Sequence, residues 1–261
     1  MHKVWAAEAK INIFLKLIGR REDGYHLIAS RFVRIRLPTD QMWFENAGLN
    51  GFEVIGDFPC KQEDNTISRA LALLIKLYPS RRLSEFAASH KVVVYKQIPY
   101  GAGLGGGSSN AATFLLMINE TAKLGLRRSD LIKVGVGVGA DVPFFISGVQ
   151  SANVGGIGEE ITQFDEPPLK IELKTVPIAC ETANVYKTFR LRYEDHNMGA
   201  SGEQSKELLN MNSIDILQSR RPEELNDLFV PAFKSYPELN EFYEDGWFMS
   251  GSGSAFFRIA R

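Results

Sequence analysis

Five of the seven residues from Gly101 to Gly107 are glycine, within the stretch "IPYGAGLGGGSSNAA" at 98–112. The β-branched run "KVVVYKQIP" leads into it and a long run of helix formers follows, so the pattern predicts a strand, a loop and a helix. An ordinary strand-to-helix turn uses one or two glycines, whereas five leave the backbone open to close approach by a ligand. A helix beginning there aims several backbone N–H groups and the positive end of its dipole at one point, which makes an anion site, most simply for phosphates. Gly107 stands where a Walker A loop requires lysine, so this is not that motif. Gly101, Gly103 and Gly106 do match G-x-G-x-x-G. The acidic residue that a dinucleotide site expects about 20 residues on, however, is Glu120, inside the expected helix, which leaves a Rossmann reading only as an alternative.

A chain of 261 residues exceeds the usual single-core size, and two domains, 1–150 and 151–261, are expected. Apolar residues at 44% and aromatics at 11% suffice for a packed core. Thirty Lys plus Arg against 31 Asp plus Glu give a net charge of −1 with no basic block, so nucleic acid is not an expected partner. Cys60 and Cys180 are too few for a disulfide framework and lack metal-site spacing, which suits a reducing cytosol. Glu8 and Lys10 interrupt the start of the chain where a signal peptide needs an apolar core. No stretch approaches the roughly 18 apolar residues of a membrane span, so a cytoplasmic chain without a membrane partner is expected.

Along the chain, "AKINIFLKLIG" alternates and reads as a half-buried strand ended by Gly19. "RREDGYH" turns, and "SRFVRIRL", "QMWFENA" and "GFEVIGD" read as further strands. "EDNTISRALALLIKLY" has apolar residues at helical spacing behind Asp64 or Asn65 as N-cap, with Pro79 after its end. Ser108 or Ser109 would cap the helix after the glycine loop, and Gly125 would end it. "SDLIKVGVGVGADVPFFI" is expected to give a short helix capped by Ser129, a loop and a strand. The composition shifts near "EPPLKIELKTVP". Beyond it, "SKELLNMN" and "PEELNDLFVPAF" read as helices, and "WFMSGSGSAFFRIA" as strand, glycine turn and strand.

"AKINIFLKLIGRREDGYH", "IPYGAGLGGGSSNAA" and "GADVPFF" resemble, in order and spacing, motifs of the GHMP-superfamily small-molecule kinases, in the branch acting on an alcohol that carries a cytidine diphosphate group. "NDL" at 226–228 and "MSGSGSAFF" also fit, so the resemblance spans nearly the whole chain. It implies an α+β fold of two domains, an N-terminal α/β domain with a left-handed βαβ crossover, like ribosomal protein S5 domain 2, and a ferredoxin-like C-terminal domain. ATP is the implied co-substrate and Mg2+ the implied ion. The phosphates would lie on Pro99, Tyr100, Gly101, Ala102, Gly103, Leu104, Gly105, Gly106, Gly107, Ser108 and Ser109.

Taken alone, Asp141 reads as a turn or cap residue at a rigid bend before Pro143, and Lys10 as a solvated strand lysine or as the cationic partner of that carboxylate. The resemblance implies that Asp141 accepts the proton of the substrate hydroxyl and that Lys10 stabilises the charged site. Asn12 shares the strand face of Lys10. Tyr25 and Tyr186 would stack the cytosine ring, and His26 would read it. Asn65 and Lys96 would line the adenine side, or be no more than a helix cap and a solvated lysine. No residue is assigned to the metal, although Ser108 and Ser109 are candidates. The implied reaction is phosphorylation of the 2-hydroxyl of a cytidine-diphosphate-bearing methylerythritol in non-mevalonate isoprenoid synthesis. A homoserine or mevalonate-type kinase of the same superfamily would have no use for Tyr25 and His26, and the joint presence of Lys10 and Asp141 argues against a nucleotide-binding protein without catalysis.

Overall fold

The computed structural model describes residues 2–48, 51–192 and 194–260. The chain divides into two compact units, each assembled from separate stretches: Met1–Ala9, Ile35–Tyr100 and Gly105–Gly148 in the first, Lys10–Arg34, Gly101–Leu104 and Val149–Arg261 in the second.

Two long strands, β1 (Trp5–Arg20) and β2 (His26–Asn46), contribute to both units. The two strands expected at 30–37 and 41–47 are one, because β2 changes partner along its length. In the first unit its end pairs antiparallel with β4, from Gln41 against Tyr95 to Asn46 against His90. Ahead of β4 come β3 (Val54–Ile55), α1 (Thr66–Leu77) and α2 (Arg81–Ser89). Asn65 caps α1 by accepting the N–H of Ile67 at 2.9 Å, and the helix buries Ile67, Ala70, Leu71 and Leu74 at helical spacing. Helix α2, absent from the sequence reading, is capped by Ser80 and buries Leu83, Phe86 and Ala87. Strand β4 (His90–Tyr95) runs parallel to β3, so α1 and α2 form a crossover.

Helix α3 (Gly106–Thr121) starts behind Gly105, whose φ of 72° is left-handed; Ser108 and Ser109 lie in the first turn and cap nothing. Glycine takes that conformation at no steric cost, so the helix begins as soon as the left-handed residue ends. In α4 (Arg128–Val138) the cap position is Arg127, not Ser129, and the Asp130 carboxylate accepts the Arg127 N–H at 3.1 Å. "VPFFIS" is α5 (Val142–Ser147) where a strand was expected. Its five buried residues carry no helical or strand period, and Pro143 in the first turn forfeits no hydrogen bond.

In the second unit Ser30–Val33 pairs antiparallel with β5 (Ser151–Gly155), which pairs with β6 (Glu160–Gln163). There follow β7 (Ile171–Lys174), α6 (Thr182–Arg192), α7 (Glu194–Leu208), α8 (Ser213–Ser219), α9 (Pro222–Leu225), α10 (Phe229–Ser235), β8 (Phe248–Met249) and β9 (Phe256–Ile259). Strands β7, β9 and β8 form an antiparallel sheet in that order, with the expected glycine turn between β8 and β9. The expected helix over "PEELNDLFVPAF" breaks in two at Asn226, whose Oδ1 accepts the N–H of Leu228 at 2.9 Å. Arg31 is fully buried and donates to Asn153 Oδ1 at 2.6 Å and to the carbonyls of Leu209 and Met211. Burial pushes its guanidinium down to about 10, against the upward pull of Glu166.

Strand β1 departs from the half-buried expectation. Ala9 through Leu17 are buried on both faces, including Lys10, Asn12 and Lys16. A buried polar face needs partners, and those partners define the site. No helix among the described residues is long and apolar enough to cross a membrane.

Candidate active site

In the second unit, alternation along β1 places Lys10 and Asn12 side by side. Lys10 Nζ donates to Asn12 Oδ1 at 2.6 Å and to the Gly103 carbonyl at 3.1 Å, and it stands 4.7 Å from the centroid of the Phe32 ring. Asn12 Nδ2 donates to Ser30 Oγ at 3.0 Å. The first part of the glycine loop is therefore held to β1, and the Lys10 N–H adds a bond to the Leu104 carbonyl. Gly103 has φ +71°, and a Cβ there would lie 2.0 Å from the Ser250 carbonyl oxygen, so no other residue fits. Ser250 Oγ donates to the Gly103 carbonyl at 2.9 Å and accepts the Asn12 N–H at 3.3 Å.

The same unit brings the aromatic candidates His26 and Tyr186 together. His26 is buried and packs against Tyr186 at 5.4 Å and against Phe189 at 5.6 Å between ring centroids. Tyr186 and Phe189 lie three apart on α6 and so share a face. Tyr25, next to His26, leaves 61% of its surface exposed.

In the first unit Thr66 Oγ1 donates to the Gly107 carbonyl at 2.8 Å, tying the start of α1, next to the cap Asn65, to the start of α3. Ser109 is buried and its hydroxyl donates to the Glu8 carbonyl at 2.6 Å, whereas Ser108 is half-buried. A Cβ on Gly139 would lie 3.5 Å from Ser108 Oγ, so the chain just ahead of Asp141 runs against the first turn of α3. Asp141 is half-buried at the cap position of α5. Lys96 is no solvated lysine: it pairs with Asp40 and donates to Asn110 Oδ1 at 2.9 Å. Asp40 also accepts the N–H groups of Gln97 and Ile98 at 2.6 and 2.8 Å and Asn110 Nδ2 at 2.8 Å. A Cβ on Gly106 would approach Lys96 Nζ to 3.5 Å, so this ammonium stands at the helix start.

Asp40 escapes the sequence analysis, and Asn110, Ser250 and Asn226 lie within its motif stretches without a role assigned to them. An isolated aspartate in "LPTDQ" reads as a turn, and nothing local marks a lone serine or asparagine as the partner of a distant loop. Among the described residues no group of three or more His, Cys, Asp and Glu could hold a metal. Ser108 supplies a hydroxyl, a hard oxygen donor of the kind that Mg2+ takes when phosphates complete its shell. A buried lysine held against the glycine loop suits phosphoryl transfer, which asks chiefly for positioning and charge neutralisation.

The comparisons with known proteins agree. The N-terminal domain model of the GHMP kinases matches residues 65–149. The 4-diphosphocytidyl-2-C-methyl-D-erythritol kinase of Sulfurimonas denitrificans is 43% identical, across 98% of this chain and 97% of its own. That of Campylobacter jejuni (strain 81-176) is 38% identical across 98% and 99%. A crystal structure of 4-(cytidine 5'-diphospho)-2C-methyl-D-erythritol kinase superposes with a TM-score of 0.73 at 29% identity, over 99% of this chain and 90% of that one. Methanococcus jannaschii mevalonate kinase, at 11% identity and a TM-score of 0.57 over 100% and 91%, shares the fold. The chain has the α+β GHMP kinase fold and belongs to the 4-diphosphocytidyl-2-C-methyl-D-erythritol kinase family.

Proposed function

We propose that this chain transfers the γ-phosphoryl group of ATP to the 2-hydroxyl of 4-diphosphocytidyl-2-C-methyl-D-erythritol, in the non-mevalonate route to isoprenoid precursors. The observation that carries the reading is the packing of Tyr186 on His26, with exposed Tyr25 beside them, in a chain 43% identical to a kinase of that name. An aromatic set of this kind suits a nucleobase and gives a homoserine or mevalonate-type kinase nothing to bind.

In this reading residues 1–150 form the N-terminal GHMP kinase domain with the ATP loop, and 151–261 the C-terminal one. Loop residues 99–109 receive the phosphates through the N–H groups of the first turn of α3, which lack intrahelical acceptors. Asn65 and Lys96 border the adenine side. Asp141 accepts the proton of the 2-hydroxyl as its oxygen bonds to the γ-phosphorus, and the bond from that phosphorus to the β–γ bridging oxygen breaks to leave ADP. Lys10, oriented by Asn12 and the Gly103 carbonyl, stabilises the negative charge of the reacting groups. Ser108 would offer its hydroxyl to Mg2+, which neutralises phosphate charge when bound. The cytoplasm is the compartment in which we place the reaction.

A coupled ADP-release assay with the cytidine compound, homoserine, mevalonate and no acceptor tests this. ADP release is expected with the cytidine compound alone. Release with homoserine or mevalonate instead would move the chain to another GHMP activity, and none with any acceptor would leave a nucleotide-binding protein.

A further inference from the structure

The "NDL" segment takes no part in the chemistry above, yet its asparagine is 4% exposed and every polar atom of its side chain is engaged. Asn226 Nδ2 donates to the Met249 carbonyl at 3.0 Å and to the Gly251 carbonyl at 2.8 Å. These carbonyls flank Ser250, so one amide nitrogen, with one hydrogen for each, fixes the backbone on both sides of that serine. Its Oδ1 is held by the Leu228 N–H. The neighbouring Asp227 anchors the segment to β1, pairing with Lys16 at 2.6 Å and accepting the Leu17 N–H at 2.7 Å.

Ser250 passes this constraint on. Its hydroxyl meets the Gly103 carbonyl and the Asn12 N–H, and the same Gly103 carbonyl accepts Lys10 Nζ. There is no slack between the two turns: a Cβ on Gly103 would strike the Ser250 carbonyl, and one on Gly251 would come within 3.2 Å of the Gly103 oxygen. We propose that Asn226 is a positioning residue for phosphoryl transfer, holding Ser250 so that Gly103 and Lys10 keep the places in which the loop receives ATP. No other side chain of this size offers two donors on one nitrogen and an acceptor beside them; an aspartate would face two carbonyls with a carboxylate, and a leucine would leave both unsatisfied.

The inference rests on the proposed function, and its test separates the two. Wild type, Asn226→Asp and Ser250→Ala are assayed with ATP and the cytidine compound, and their melting temperatures are recorded. Wild type is expected to turn over, and Asn226→Asp, which loses both donors to the Met249 and Gly251 carbonyls, to raise KM for ATP by roughly tenfold or more, with KM for the cytidine compound unchanged. Ser250→Ala, a smaller change that leaves the fold intact, carries the same test if Asn226→Asp fails to fold; it too should raise KM for ATP alone. An active wild type whose variants melt lower but keep the ATP KM would overturn the inference, since Asn226 would then serve only the fold. A wild type inactive on the cytidine compound would overturn the functional reading and the inference with it.

Discussion

Lys96 closes an ion pair on Asp40 whose carboxylate has no exposed surface, while the lysine side chain keeps 16% of its own. The Asp40 side chain also takes the Gln97 and Ile98 N–H groups, so a single carboxylate sets the path of the chain from β4 toward the glycine loop. Breaking one side of a buried pair strands the other charge, which costs about 3 to 5 kcal/mol. Asp40→Asn keeps the shape and an acceptor oxygen but loses the charge, and urea denaturation should show a loss of that order. A loss under about 1 kcal/mol would place the pair with ordinary surface bridges.

Gly103 and Gly107 separate fold from function in one loop. Gly103→Ala puts a methyl 2.0 Å from a backbone oxygen at φ +71°, and should lower the melting temperature and raise KM for ATP together. Gly107→Ala meets only Thr66, at an ordinary 3.7 Å, so its melting temperature should hold while the added methyl in the first turn of α3 raises KM for ATP severalfold. Gly106 is a poorer probe, because a Cβ there already meets Ile98 at 2.9 Å. An ATP constant unmoved in Gly107→Ala would remove the first turn of α3 from phosphate binding.

Asp141 sits at the cap position of α5 and its side chain makes no capping hydrogen bond to that helix. Asparagine keeps the size and shape of the aspartate, so Asp141→Asn should leave the fold in place. Loss of the proton acceptor should lower kcat by roughly 10² to 10⁴ with KM values little changed. Steady-state kinetics with full turnover would return Asp141 to the role of a turn residue.

What the sequence discloses about this chain follows a physical division. The glycine loop is legible because it departs from its local pattern, with glycines packed beyond the needs of a turn, whereas Lys10 and Asp141, which alone read as a strand lysine and a turn residue, are singled out by the resemblance. Asn226, Ser250 and Asp40 are ordinary where they stand, and their roles are set by distant partners; Ser250 meets Asn12 across 238 positions. Helix α5 escaped for a different reason, since a short run buried on all sides has no period to read. The polar face of β1 was legible as polar but not as buried, because burial of Lys16 depends on Asp227, which no local pattern connects to it.

Tyr25 and Tyr186 test the identity of the base, and their surroundings make them unequal. Tyr25 is largely exposed, so Tyr25→Ala should leave the melting temperature unchanged, whereas Tyr186→Ala also loses its contact with His26 and should cost about 1 kcal/mol of stability. Stacking a base on an aromatic ring contributes on the order of 1 to 3 kcal/mol, so each variant should bind cytidine diphosphate about tenfold more weakly or worse. A non-hydrolysable ATP analogue should bind both variants as it binds wild type, because a clamp on the cytidine touches only one ligand. Calorimetric titration of the three proteins with both ligands, and with uridine and adenosine diphosphates, separates the cases. Weakening in Tyr25→Ala alone would keep the activity and move the second stacking residue away from Tyr186. A wild type without preference for the cytidine compound would remove base recognition from Tyr25, His26 and Tyr186, and with it the reason to prefer this substrate over those of other GHMP kinases.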